Sequence, residues 1–386
     1  MAVPFFRPSV TQAEIDEVVA CMKSGWLTTG PRTKEFESRF AARFGAKHAI
    51  ALNSCTAALH LALDAVGLKR GENVIVPAMT FAATAEVVRY FDATPVMVDC
   101  EPRSLCIDPD QLRKIARNTK SLRAIIPMHY GGQMADVDAV ASIAREAGVP
   151  VIEDAAHTLP ASFDGKVVGT TADITCFSFY ANKCITTGGE GGMALTNSDA
   201  FADRMRVMSL HGMSKDAWRR FTDKGSWYYE LVAPGFKYNL TDIAAGMGLR
   251  QLDRLDELHA ERKRLAARYT SELSQLPGVE TPETLRGRDH SWHLYAIRLR
   301  LDRWTIDRAR FIDELKARGI TCSVHWMPLH LHPYYRETYG TGPGLFPVAE
   351  DVWPRLVSLP LFPGMTEAEQ GEVIGAIAEL QKLHGR

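Results

Sequence analysis

Val151-Ile152-Glu153-Asp154-Ala155-Ala156-His157 reads as a short apolar strand that ends in two carboxylates. Strands buried on both faces form near-continuous apolar runs in a parallel sheet covered by helices, and open α/β sheets bind ligands beyond the carboxyl ends of their strands. Asp154 is thereby placed at a ligand crevice. The same unit, a short apolar run, a turn and an amphipathic helical stretch, recurs from residue 48 to about 196. Strands are predicted at 49–52, 73–76, 95–98, 124–127, 150–153 and 175–178, with helices between them such as 57–66 and 137–147. This pattern gives an α/β fold with a mostly parallel sheet sandwiched by helices.

After Asn239 the pattern changes to a long helical stretch, 241–273, rich in Leu, Arg and Glu. An alternating strand (293–301), a helix (305–318), a strand near 320–325 and a last helix (366–383) then make a smaller α+β unit. With 386 residues the chain exceeds one simple core, and the expected division is a large domain, 1–250, and a small C-terminal domain, 251–386, joined by the long helix. The stretch 212–235 lacks a clear period, and its aromatics Trp227, Tyr228 and Tyr229 imply packing against another surface, such as a second subunit.

Charge sets limits on partners. Lys plus Arg (45) and Asp plus Glu (46) nearly cancel, so no overall field draws nucleic acid or an anionic membrane, and any phosphate site must be local. Residues 1–8 show no export signal, which points to the cytoplasm. The seven cysteines are scattered without paired C-x-x-C spacing, so neither disulfides nor a metal site is expected, and Cys184 reads as a small buried thiol.

Three segments carry chemistry. Asn53-Ser54-Cys55-Thr56-Ala57 closes the first strand and opens a helix, whose free N–H groups and positive dipole end suit a phosphate dianion. Taken alone, the same turn fits an ordinary Ser or Thr cap. Asp154 can pair with a protonated ring nitrogen or merely cap a turn, and a histidine such as His157, taken alone, is more often a packed or solvated one. Cys176-Phe177-Ser178-Phe179-Tyr180-Ala181-Asn182-Lys183 leads into Thr186-Thr187-Gly188-Gly189-Glu190-Gly191-Gly192. A lysine between aromatics and a Gly-rich loop can be desolvated, which lowers its pKa and frees the amine to attack an aldehyde. The competing reading is a surface lysine ahead of a flexible loop.

Taken together, the segments resemble the DegT/DnrJ/EryC1/StrS family of sugar aminotransferases, within the aspartate-aminotransferase fold (fold type I) of pyridoxal phosphate enzymes. The likeness covers nearly the whole chain. Its markers are Trp26-Leu27-Thr28-Thr29-Gly30-Pro31, Ser54-Cys55-Thr56, residues 77–81, His129-Tyr130-Gly131, the Glu153 to His157 segment, the run to Lys183, Glu190-Gly191-Gly192 and Lys237-Tyr238-Asn239-Leu240-Thr241-Asp242. The resemblance implies that pyridoxal 5'-phosphate is held as a Schiff base on Lys183, with Asp154 at the pyridine nitrogen, Phe81 stacked on the ring and His157 near the ring hydroxyl. Ser178 and the Cys55-Thr56 turn would hold the phosphate, and Asn239 would reach it from the neighbouring subunit of a homodimer. Thr28, Thr29, Tyr180 and His325 resemble substrate-facing positions. The implied reaction moves an amino group from glutamate to a nucleotide-linked keto sugar.

Within the family, His211-Gly212, residues 234–242 and Ser358-Leu359-Pro360-Leu361-Phe362-Pro363 are similar to the aminotransferases that make UDP-4-amino-4-deoxy-L-arabinose. Three rivals remain at this point: a dehydratase or other lyase on the same scaffold, a non-catalytic regulatory homologue, and a nucleotide-binding oxidoreductase. Lys183 argues against the first, since relatives that dehydrate sugars carry His there. Intact Lys183 and Asp154 argue against the second. No G-x-G-x-x-G follows the first strand, which argues against the third.

Overall fold

The computed structural model describes residues 2–214 and 229–386. Its central sheet runs, edge to edge, Thr94–Val98, Asn73–Pro77, Leu122–Ile125, Ile152–Asp154, Ile174–Ser178, Gly192–Thr196, His48–Leu52. Bridges Ile125 to Val151 and Met128 to Asp154 join its two halves in parallel. Only Gly192–Thr196 is antiparallel, to both of its neighbours. The mostly parallel sheet expected from the apolar runs is therefore present.

Alternate residues of these strands enter different cores, which is why the sequence shows continuous apolar runs rather than alternation. Ile50, Leu52, Cys176 and Ala194 join a cluster with Leu59, Leu61 and Ala62 of the helix Cys55–Ala65. Ala49, Ala51, Phe177, Met193 and Leu195 join another, with Phe36, Phe40 and Phe44. Those three phenylalanines recur at helical spacing along Pro31–Phe44 and so form one stripe. Phe40 meets Phe177 edge-on with centroids 5.2 Å apart, and Phe36 lies 5.4 Å from Phe179.

A further core gathers Leu265, Tyr269, Tyr295, Trp304, Phe311 and Val373 near the C-terminus, and Val3 packs into it. The helical stretch at 241–273 is two helices, Asp242–Asp253 and Leu255–Leu273. The chain turns at Arg254, whose guanidinium bonds Ser9 and Glu14 instead of facing solvent along a straight helix. Residues 320–325, expected as a strand, pair among the described residues only through single bridges, Val3 to Ile320 and Ser323 to Ser358. Of the three aromatics in the aperiodic stretch, Trp227 and Tyr228 lie outside the described residues, and Tyr229 is exposed.

Register then builds one edge. Asp154 pairs with Cys176, and Gly192 pairs with both Ser178 and Leu52, so Asp154, Ser178 and the turn after Leu52 end together. A Cβ on Gly192 would land on the carbonyl of Ser54, so only glycine lets the 53–55 turn approach this closely. Gly375, by contrast, sits in the helix Glu367–His384 with open space around it. Gly192→Ala is expected to destabilise the protein by about 2 kcal/mol or more. Gly375→Ala is expected to stabilise it by about 0.5–1 kcal/mol, both read from urea unfolding.

Candidate active site

The sheet edge opens into a cavity of about 340 Å³. Cys55, Thr56, Phe81, Asp154, His157, Ser178, Tyr180, Lys183 and His325 all line it, brought together from strand ends and turns far apart in sequence. At one end the Ser54 hydroxyl accepts the Ala57 N–H at 3.0 Å and starts the helix Cys55–Ala65. The first-turn N–H groups of Cys55 and Thr56 have no intrahelical acceptor, and together with the helix dipole they make an anion seat.

Asp154 lies deeper and is 3% exposed. Its carboxylate accepts from the Thr84 hydroxyl at 2.7 Å and the Ala156 N–H at 3.1 Å. Burial raises its pKa, while those bonds and Lys183 hold the rise back. Glu153, the other carboxylate of the motif, points elsewhere: it accepts from the Thr171 and Thr175 hydroxyls and lies 3.7 Å from His129 Nε2. Lys183 is only half-buried as a residue, yet loss of water around its amine pushes the pKa below the ordinary lysine value, against the pull of Asp154. The neighbouring Cys184 is buried, with its thiol directed at the His157 carbonyl.

Three histidines form part of the wall. Burial first, then the nearby Lys183 charge, drives the pKa of His157 and His293 well below the histidine norm and that of His325 down to about 4. His157 stacks on Trp326 at 5.0 Å and touches His293 at 4.2 Å. His325 Nδ1 pairs with the Ser358 hydroxyl at 2.8 Å.

Thr28, Thr29 and Asn239 do not line this cavity. The Asn239 amide donates to Thr29 Oγ1 at 2.7 Å, and both residues face a second cavity of about 290 Å³. Thr28 offers its carbonyl to Asp242 N–H at 3.2 Å. Conversely, His293, Trp326, Asn182 and Met128 line the main cavity without having been assigned a role, as does Glu190 of the Glu190-Gly191-Gly192 marker. Trp326 and Asn182 lie beside flagged residues, a signal that could have found them; His293 carried none beyond starting an apolar strand.

Residues 8–378 match the DegT/DnrJ/EryC1/StrS aminotransferase family. The chain belongs to this family. It is 43% identical over 381 residues to the spore coat polysaccharide biosynthesis protein SpsC of Bacillus subtilis, covering 98% of this chain and 97% of that one. The solved structure of Spr1654 from Streptococcus pneumoniae in its PMP-form superposes with a TM-score of 0.91 at 32% identity, over 99% of this chain and 98% of the other. Sugar aminotransferase CalS13 from Micromonospora echinospora gives a TM-score of 0.86 at 27% identity, over 98% and 99% of the two chains. As a DegT/DnrJ/EryC1/StrS aminotransferase of fold type I, the protein is a pyridoxal-phosphate-dependent transaminase, and Spr1654 is also solved in a PLP-form.

The cavity fits that cofactor on its own chemistry. It pairs an anion seat with a desolvated amine and a buried carboxylate, and Phe81, 54% exposed, offers an uncovered aromatic face in its lining. No described residues group three or more His, Cys, Asp or Glu side chains for a metal ion. No described helix is long and apolar enough to cross a membrane.

The buried histidines set a pH dependence of stability. An unfolded chain takes up protons near pH 6.5, whereas folded His325 stays neutral down to about 4. Between those values the unfolded state binds more protons, so stability falls as pH falls. The melting temperature of the apoprotein is expected to drop from pH 7 to pH 5, and His325→Asn should flatten that slope.

Proposed function

We propose that this protein transfers an amino group from glutamate to a nucleotide-linked keto sugar, with a UDP-4-keto sugar as the acceptor. The amino sugar would feed surface polysaccharide or lipid A synthesis. One observation carries the reading: a desolvated lysine amine shares a cavity with a buried carboxylate and a helix N-terminus in a chain of this family. The likeness to SpsC, a spore coat polysaccharide biosynthesis protein, supports a glycan destination.

When bound, pyridoxal phosphate supplies an electron sink and carries the amino group between the two half reactions. Lys183 Nζ is its covalent anchor and, once released, the general acid and base that moves the proton next to the reacting carbon. The lowered pKa of that amine suits the task, since a base works best with a pKa near the operating pH. Asp154 keeps the pyridine nitrogen protonated, and Thr84 and Ala156 hold its carboxylate in place. Cys55, Thr56 and Ser178 hold the phosphate, Phe81 covers the ring and His157 faces the ring hydroxyl. Thr28, Thr29, Tyr180 and His325 orient the sugar, and Asn239 completes the phosphate site of the partner in a homodimer. We also assign residues 1–250 to a large cofactor-binding domain and 251–386 to a small one, which the separate apolar cluster around Tyr269 and Trp304 supports.

Purified protein loaded with cofactor, glutamate and a panel of nucleotide keto sugars should yield an amino sugar detectable by mass, most rapidly from the UDP-4-keto member. Failure of every sugar, with glutamate still converting the cofactor to its amine form, would reject the acceptor class alone. Lys183→Ala should lower turnover by about 10³-fold or more. Mixed dimers of Lys183→Ala and Asn239→Ala, assayed at limiting cofactor, should recover activity that neither variant has alone. No recovery would argue against a shared site.

A further inference from the structure

The roles above leave out residues 290–294, which bind to the active-site wall more densely than a linker needs. Ser291 N–H donates to the Gly132 carbonyl at 3.0 Å and Leu294 N–H to the Gly131 carbonyl at 3.0 Å. The Ser291 hydroxyl reaches the His157 carbonyl at 2.7 Å. Arg262, from the helix Leu255–Leu273, anchors the segment from outside by donating to the Trp292 carbonyl at 3.3 Å. A Cβ on Gly132 would strike the Ser291 hydroxyl and lie 2.9 Å from Trp292 N, so the two turns are fitted to each other at contact distance.

This assembly determines where His157 carries its proton. Gly131 N–H donates to His157 Nδ1 at 3.2 Å, so Nδ1 is the acceptor and a neutral ring bears its hydrogen on Nε2. His293, which lines the same cavity and is 5% exposed, sets its ring 4.2 Å from that of His157. Among the described residues its Nδ1 is buried with no hydrogen-bond partner, so no bond at that nitrogen accounts for its place there.

We propose that His293 is a positioning residue: its ring seats His157 while its segment holds the Gly131 turn, and together they present His157 Nε2–H to the ring hydroxyl of the bound cofactor. This rests on the reading of His157 given above. The groups facing His157 are Lys183, His293 and His325, and those facing His293 are Lys183, Arg262, His325 and His290. The carboxylates of the same cavity are Asp154 and Glu190, and burial keeps both histidines neutral, so His157 remains a single-proton donor across the working pH range.

The test is a spectrophotometric pH titration of the lysine-bound cofactor in wild type, His293→Ala and His293→Phe, with Ser291→Ala as a second route if the alanine variant at 293 does not fold. A donor at the ring oxygen disperses negative charge that would otherwise hold the nearby imine proton, so its loss raises the titration midpoint. His293→Ala should move the midpoint up by about one pH unit and lower kcat more than it raises KM. Ser291→Ala should move it the same way by less, and His293→Phe, which keeps a ring against His157, should stay near wild type. An unchanged midpoint in His293→Ala and Ser291→Ala, with only a lower melting temperature, would leave His293 a packing residue and overturn the proposal. A phenylalanine variant as shifted as the alanine one would overturn it too, by tying the effect to the nitrogens rather than to the ring contact. Wild-type protein that bound no cofactor would reject the reading of the site itself, a distinct result from either.

Discussion

A lysine amine kept from water across a cavity from a buried carboxylate is costly to maintain, because each group would be better solvated outside. Burial pushes Lys183 down and Asp154 up in pKa, and each is pulled back by the other's charge. Such a pair persists only where the surrounding fold over-determines it. Here the sheet supplies that rigidity: Asp154 ends a strand in register with Cys176, its N–H donating to the Pro127 carbonyl and its carbonyl accepting from the His129 N–H, and Lys183 follows the next strand through a turn closed by its N–H to the Tyr180 carbonyl. The Thr80–Thr84 hydroxyl pair then locks the Asp154 carboxylate from the side.

Much of this architecture was legible in the chain because its signals are local. Apolar runs such as 73–76 and 175–178 are strands because both of their faces are buried, and the sequence carries that burial directly. Val137–Ala147 forms at its expected bounds because Asp136 caps one end and Gly148 closes the other in the left-handed region. The cavity lining from Cys55 to Lys183 was likewise readable, since strand ends and helix starts define the crevice of such a sheet.

What escaped the sequence depends on tertiary partners. Gly192–Thr196 is a strand, but its leading residue, Gly192, reads as part of a Gly-rich loop until Ser54 is seen pressed against it. Nothing in the helical period around Arg254 marks a turn, and the partner of its guanidinium there, Glu14, lies 240 positions away. Thr84 and His293 serve the site from a helix and from the approach to a distant strand, and residue type alone gives neither a role.

The composition of the cavity also bears on how an anion is held there. Lys183 is the only Lys or Arg among the described lining residues, and it is committed to the reacting end of the cavity. His157, His293 and His325 are kept uncharged by burial. On the proposed reading, a phosphate dianion in this half of the site would be met by dipoles: N–H groups at a helix start, hydroxyls of Thr56 and Ser178, and, in the proposed dimer, the neutral amide of Asn239. Dipoles select by geometry where a cluster of cations would attract any anion. Among the described lining residues no second Lys or Arg stands with Lys183 to depress its basicity further than the proposed proton transfer needs. A neutral phosphate seat and a neutral histidine wall thus serve one end, an amine whose protonation is governed by its own burial and by Asp154.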